Sequence, residues 1–184
     1  MILAGGRSGS TSDTSFTEKG AEDRAYIKRG ILQNRTDGKS GFGADDMKCE
    51  LLTEENLTLM LDFIDDENTK YDEAVLKAFI NEKNANGYIA SDNGKAVGFA
   101  YGYVLNEPDG QKVYYLHAID VMEGWQNQGY GTELVRFIHK HSKTLGCRKM
   151  FLLTYKHNAS ACRCYEKAGG ICNAAFDDIV FAFR

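Results

Sequence analysis

A chain of 184 residues is long enough to bury a sizeable core and short enough to fold as one domain with an appendage. Its 22 Lys and Arg against 26 Asp and Glu give a net charge of −4, which argues mildly against a nucleic-acid partner and tolerates a polycationic substrate. It contains no secretory core and no apolar run of about 18 residues. The five cysteines, Cys49, Cys147, Cys162, Cys164 and Cys172, are odd in number and lack paired metal-ligand spacing. This predicts a cytoplasmic protein with reduced thiols, no metal and no membrane association.

Residues 1–45 hold eight of the nineteen glycines, many Ser, Thr, Asp and Arg, and no sustained apolar period. They read as a flexible N-terminal extension, with a short helix over 21–32 as an option. Residues 46–184 read as the folded domain. Residues 47–52 are a candidate first strand, and Thr53 followed by Glu54 and Glu55 is a candidate helix cap. Leu57, Met60, Leu61 and Ile64 repeat at helical spacing, as do Val75, Leu76, Phe79 and Ile80. The acidic link over 62–67 is a solvated helix end or a cation-attracting rim.

Residues 87–91 and 96–105 are rich in Tyr, Ile, Val and Phe, and Asn93-Gly94 between them is a strong hairpin signal. Pro108-Asp109-Gly110 turns the chain into a further strand over 112–121, completing a meander. Gly98 and Gly102 thin the middle of an arm, for bends or close ligand approach. Leu134, Val135, Ile138 and Leu145 then mark a long helix stopped at Gly146. A strand follows over 148–154, then a helix capped by Asn158 and ended by Gly169-Gly170, then strands over 171–176 and 179–183.

The junction between the strand at 112–121 and the long helix concentrates the chemistry. Unpaired N–H groups at a helix start, beside glycines that let a ligand approach, make an anion site suited to phosphate. A dinucleotide fingerprint would need glycine where Leu134 stands, and a P-loop would need a lysine before its hydroxyl residue, whereas Gly131 is followed by Thr132. The turn taken alone also reads as a plain strand-to-helix junction.

Gln126-X-X-Gly129-X-Gly131, with Asn158 further on and Cys164-Tyr165-Glu166-Lys167-Ala168-Gly169 after it, closely resembles the GCN5-related N-acetyltransferases. Cys164 stands where leucine is commoner. The resemblance implies an α/β fold, α+β layered, with a mixed, mostly antiparallel, splayed central sheet of about seven strands flanked by about four helices. It implies acetyl-CoA as cosubstrate, with pyrophosphate contacts at Gln126, Asn127, Gln128, Gly129, Tyr130, Gly131 and Thr132. The pantetheine arm would pair near Ile119 and Val121, with Asn158 reaching toward it. Tyr165 would stand near the sulfur and protonate the departing thiolate, though it also reads as an aromatic core residue.

The reaction implied is direct transfer of acetyl to a primary amine. Deprotonating an alkyl ammonium of pKa about 10.4 costs about 4 kcal/mol near neutrality, so a base is useful. The segment around His117 is similar to the arylalkylamine branch, where the matching histidine serves proton removal through water. His117 also reads as a packed or solvent-facing strand residue, and Asp120 is the other candidate base. Simple alternation places the two on opposite strand faces unless a bulge intervenes. Cys162 and Cys164 admit an acetyl-cysteine route as a lesser option.

The end of the chain is similar to the aminoglycoside 3-N-acetyltransferase-like branch, which implies Asp177 and Asp178 as substrate-binding acids; they also read as a solvated turn. The acceptor expected is a small polycationic amine, such as an aminoglycoside or polyamine. A peptide or protein amine and a non-catalytic CoA-binding sensor are the alternatives. The resemblance leaves a homodimer open.

Overall fold

The computed structural model describes residues 47–64 and 70–172. Five strands form one sheet in the order β1-β2-β3-β4-β5: β1 (Met47–Leu51), β2 (Ala85–Asp92), β3 (Lys95–Asn106), β4 (Lys112–Val121) and β5 (Lys149–Phe151). The first four pair antiparallel, and β4 pairs parallel with β5. Four helices flank the sheet: α1 (Leu61–Ile64), which continues a 3-10 turn at Leu57–Met60, α2 (Glu73–Ile80), α3 (Tyr130–Thr144) and α4 (Ala159–Lys167). The described residues therefore carry five strands where about seven are expected. Ile171 and Cys172 are not in a strand, and the rest of the last two expected strands lies outside the described residues, as do the extension and the helix over 21–32.

Local chemistry sets most boundaries. Asn93 and Gly94 take left-handed φ values of 48° and 75°, the pair of positive angles that a tight hairpin turn requires. Asp72 caps α2, its carboxylate accepting from the Ala74 and Val75 amides at 2.8 and 3.3 Å. Gly146, at φ 80°, stops α3 as expected. The first helical segment starts later than Thr53 suggests. The Asn56 side chain accepts from the Thr53 amide at 2.8 Å and donates to the Leu51 carbonyl at 2.9 Å, holding residues 53–56 in a turn.

The two sheet faces bury separate cores. On one, Leu134, Val135 and Ile138 of α3 pack on Tyr88, Val97, Tyr114 and Leu116. Leu134 and Ile138 are fully buried, each contributing about 1.5–3 kcal/mol. On the other, Leu57, Met60, Ile89 and Phe99 meet side chains of α1 and α2.

Two irregularities shape the site. β5 pairs with β4 only from Val113 to Tyr115, so Leu116 to Val121 continue with no β5 partner and the two strands splay. In β4, Leu116 opposes Gly102 and Ala118 opposes Tyr101, leaving His117 as the extra residue of a bulge. Gly102 is required there: a Cβ would lie 2.4 Å from the Tyr115 carbonyl oxygen and 2.7 Å from the Tyr114 ring. The close approach at this glycine is thus made by the protein's own neighbouring strand.

Candidate active site

A cleft of about 660 Å³ opens where β4 parts from β5, walled by the end of β4, the start of α3, and α4. After Val121 the chain makes a 3-10 turn at Glu123–Trp125 and enters the glycine turn. The Gln126 side chain donates to the Val121 carbonyl at 2.8 Å, fastening the turn to the strand end. Asn127 and Gly129 adopt left-handed φ values of 60° and 101°. Gly129 is the residue from which α3 begins, and no side chain caps that start. First-turn amides are therefore left to face the cleft, and with the left-handed turn before them they form an anion-binding concavity. Gly131 lets the start of α3 pack closely on α4 and β4, because a Cβ there would lie 3.2 Å from the Cys164 sulfur and 3.5 Å from Val121 Cγ2.

Helix α4 supplies the facing wall. The Asn158 side chain accepts from the Ala161 amide at 3.2 Å, capping the helix while itself lining the cleft. The Ser160 hydroxyl meets Asn127 Oδ1 at 3.4 Å, linking α4 to the glycine turn. Tyr165 lines the same cleft. Burial, and then the nearby Cys164 and Cys162 thiols, push its hydroxyl up to about 12, so the phenol stays protonated across the physiological range.

Eleven of the residues singled out by the sequence line this one cleft: Ile119, Asp120, Val121, Gln126, Asn127, Gly129, Gly131, Thr132, Asn158, Cys164 and Tyr165. Three stand apart. The Tyr130 side chain is buried edge-on to Trp125, and the Gln128 side chain donates to the Gly124 carbonyl at 2.7 Å. His117 is exposed on β4, its ring 5.1, 5.4 and 6.0 Å from those of Tyr101, Tyr115 and Tyr103. Asp177 and Asp178 lie outside the described residues.

The bulge changes the relation between the two candidate bases. Tyr101 opposes Ala118 and Phe99 opposes Asp120, so His117, Ala118 and Asp120 all turn toward the α1 and α2 side, while Ile119 and Val121 turn toward α3. His117 and Asp120 thus share a face, which simple alternation does not give. Asp120 Oδ1 also accepts from the Val121 amide at 2.9 Å.

Cleft residues not anticipated from sequence include Glu133, Arg136, Arg163 and Lys167. Arg136 pairs with Glu133 and donates to the Lys167 carbonyl at 2.6 Å, joining α3 to α4. Helical spacing carries the signal: Arg136 follows Thr132 by one turn, and Lys167 follows Arg163 by one turn. Among the described residues no group of three or more His, Cys, Asp or Glu could hold a metal ion, and no helix is long and apolar enough to cross a membrane.

The sequence profile of the acetyltransferase (GNAT) family matches residues 52–170. No curated protein matches the chain. Among solved structures, an aminoglycoside acetyltransferase from an uncultured soil metagenomic sample, in complex with trehalose, superposes with a TM-score of 0.62 at 22% identity, covering 77% of this chain and 97% of that one. A transcriptional regulator from Bacillus halodurans C-125 gives 0.60 at 21%, covering 74% and 99%. The ribosomal-protein-alanine N-acetyltransferase from Brucella melitensis biovar Abortus 2308 gives 0.59 at 17%, covering 74% and 99%. At these identities the likeness extends to the fold, while the profile covers most of the chain, with the glycine turn, Asn158 and Tyr165 inside the match; the chain belongs to the GNAT acetyltransferase family and is an N-acetyltransferase.

Proposed function

We propose that this enzyme transfers acetyl from acetyl-CoA to a primary amine of a small polycationic molecule, such as an aminoglycoside or polyamine, by direct attack. The observation that carries the reading is the uncapped, glycine-opened start of α3 in the gap between β4 and β5, in one cleft with Asn158 and Tyr165. Acetyl-CoA would supply an acetyl group activated as a thioester. The amides at Gly129 to Thr132 hold its pyrophosphate, each favourable anion contact at a helix start contributing about 0.3–2 kcal/mol. The backbone near Ile119, which has no β5 partner, pairs with the pantetheine arm, while the Val121 amide and carbonyl are held by the Asp120 and Gln126 side chains.

Tyr165 holds a proton at its hydroxyl for the departing sulfur. Asp120, which reaches both the cleft and the α1 and α2 face, receives the proton lost by the amine, directly or through water, with His117 on the same face as its onward acceptor. One N–C bond forms as one C–S bond breaks. This reading takes 46–184 as the catalytic domain and 1–45 as an extension, in a cytoplasmic protein. Its test is CoA release with a panel of amines. Turnover of a small polycationic amine, abolished when acetyl-CoA is omitted, is the expected result, and binding of acetyl-CoA without turnover of any amine overturns it.

A peptide or protein amine is the second reading, favoured by the fold likeness to a ribosomal-protein-alanine N-acetyltransferase. It predicts acetylated peptides by mass spectrometry and poor turnover of polyamines and antibiotics.

A further inference from the structure

We infer that the acceptor is a linear aliphatic di- or polyamine, laid along an aromatic strip in which Tyr101, Tyr103 and Tyr115 surround His117, Phe151 stacks on Tyr115, and Asp120 forms the end. The inference rests on the amine acetyltransferase reading and narrows its substrate class.

The bulge at His117 builds the strip. By adding one residue to β4, it keeps Tyr115, His117, Ala118 and Asp120 on the face that carries Phe99, Tyr101 and Tyr103 of β3. Tyr101 and Tyr103 meet edge to face with centroids 6.1 Å apart, and Tyr115 stacks on Phe151 at 5.1 Å and 18°. His117 lies among them, and Phe151 is 37% exposed. From the Tyr103 and Tyr115 pair to Asp120 the strip runs along β4 for about 13 Å, four residues of β3 at about 3.3 Å each, with Phe79 of α2 edge-on to Tyr101 and Tyr103 on one side and Phe99, opposite Asp120, buried against Phe63.

Three features select the occupant. The strip is continuous with the acetyl-CoA cleft, because Asp120 belongs to both. Its residues from Phe99 to Tyr103 and from Tyr115 to Asp120 include no lysine or arginine, so no permanent cation among them opposes an ammonium group. Aromatic faces attract ammonium groups within about 6 Å of the ring centroid and take methylene groups between them. A linear polyamine offers that alternation of charge and hydrocarbon. An aminoglycoside presents many hydroxyls, each of which loses hydration on an aromatic floor and needs a replacement partner, whereas the strip offers three phenols, one imidazole and one carboxylate. The reacting nitrogen sits at the Asp120 end, and a distal ammonium rests on Tyr103 and Tyr115.

The test pairs steady-state kinetics with calorimetric titration of the full chain, using a linear triamine and an aminoglycoside. The triamine is expected to exceed the aminoglycoside at least tenfold in kcat/KM. Tyr103→Leu should raise the KM and Kd for triamine about 2- to 30-fold, the range of one cation–π contact, while Tyr103→Phe stays within about twofold. Tyr115→Leu gives the same reading should Tyr103→Leu fail to fold. Higher kcat/KM for the aminoglycoside, or triamine binding insensitive to both leucine variants, overturns the inference while leaving amine acetylation intact. Triamine binding that depends on Tyr103 without turnover of any amine supports the strip and removes the transferase reading instead.

Discussion

The two faces of β4 solve different problems by different means. Toward α3, Ile119 and Val121 border a cleft whose shape comes from a short stretch of backbone, the left-handed turn at Asn127 and Gly129 and an uncapped helix start. Toward α1 and α2, His117 and Asp120 border a face made of side chains from three strands, brought together by one inserted residue. A phosphate site can be built from backbone amides and so depends on local geometry. A site for a hydrocarbon amine needs side-chain area, which only tertiary packing collects.

If the cleft side holds the leaving group, the largest effect comes from Tyr165→Phe. Loss of a positioned general acid lowers kcat by about 10²–10⁴-fold, with the KM for acetyl-CoA little changed. Because burial holds the hydroxyl near 12, above the usual phenol value of about 10, the proton is present at every pH below that region. The same shift makes folding stability from this group constant below about pH 10 and lost as pH rises from 10 to 12. A flat pH profile for kcat in Tyr165→Phe, at wild-type magnitude, would remove the acid from the cleft side of the comparison.

Gly102→Ala reaches the other side through the bulge, although its added methyl points toward Tyr114 in the α3-side core. Its methyl group meets the Tyr115 carbonyl and the Tyr114 ring well inside contact distance, and a backbone atom cannot swing away as a side-chain tip can. Overpacking of this kind costs about 1–3 kcal/mol, to be measured by urea unfolding. Because Gly102 opposes Leu116, the residue just before the bulge, the KM for amine should suffer more than the KM for acetyl-CoA.

Asn158 combines structure and binding, and two substitutions separate them. Asn158→Ala loses the cap and about 1 kcal/mol. Asn158→Asp keeps an acceptor for the Ala161 amide, and so most of the stability, but has no amide N–H to offer a ligand. A raised KM for acetyl-CoA in both variants, with normal stability only in the aspartate, assigns the side chain to the cofactor. Normal KM in the aspartate leaves it as a cap alone.

The sequence was legible where short-range physics dictates structure. Asn93-Gly94, Gly146 and Asn158 act through their own backbone or that of residues a few positions away, and each marks the boundary it suggests. Helical spacing likewise located the core stripe of α3 at Leu134, Val135 and Ile138. The bulge is different: nothing local to Leu116-His117-Ala118 announces it, since it exists only in the register against β3, where Gly102 gives room for Tyr114. For that reason alternation set His117 and Asp120 on opposite faces. Thr53 misled because the nearby Asn56 outcompetes it, tying down both the Thr53 amide and the Leu51 carbonyl. Arg136 went unread because a cation on an exposed helical face is usually only solvated, and its partner carbonyl lies 31 residues away.

That arginine gives the smallest effect and the cleanest separation of the faces. An exposed pair such as Arg136 with Glu133 contributes about 0–1 kcal/mol, so Arg136→Gln should hardly move the unfolding midpoint. Its guanidinium also reaches the last turn of α4 and lines the cleft, so the variant removes both a positive charge facing an anionic ligand and a tie between the cleft walls. The KM for acetyl-CoA should therefore rise a few-fold and lose part of its dependence on ionic strength, because screening acts on the charge that is gone. Arg136→Lys restores charge without the planar two-pronged geometry and should recover the salt dependence but only part of the affinity. The KM for amine should stay constant in both, since the acceptor lies on the opposite face of β4; a parallel rise in the two KM values would show that the faces are mechanically one site.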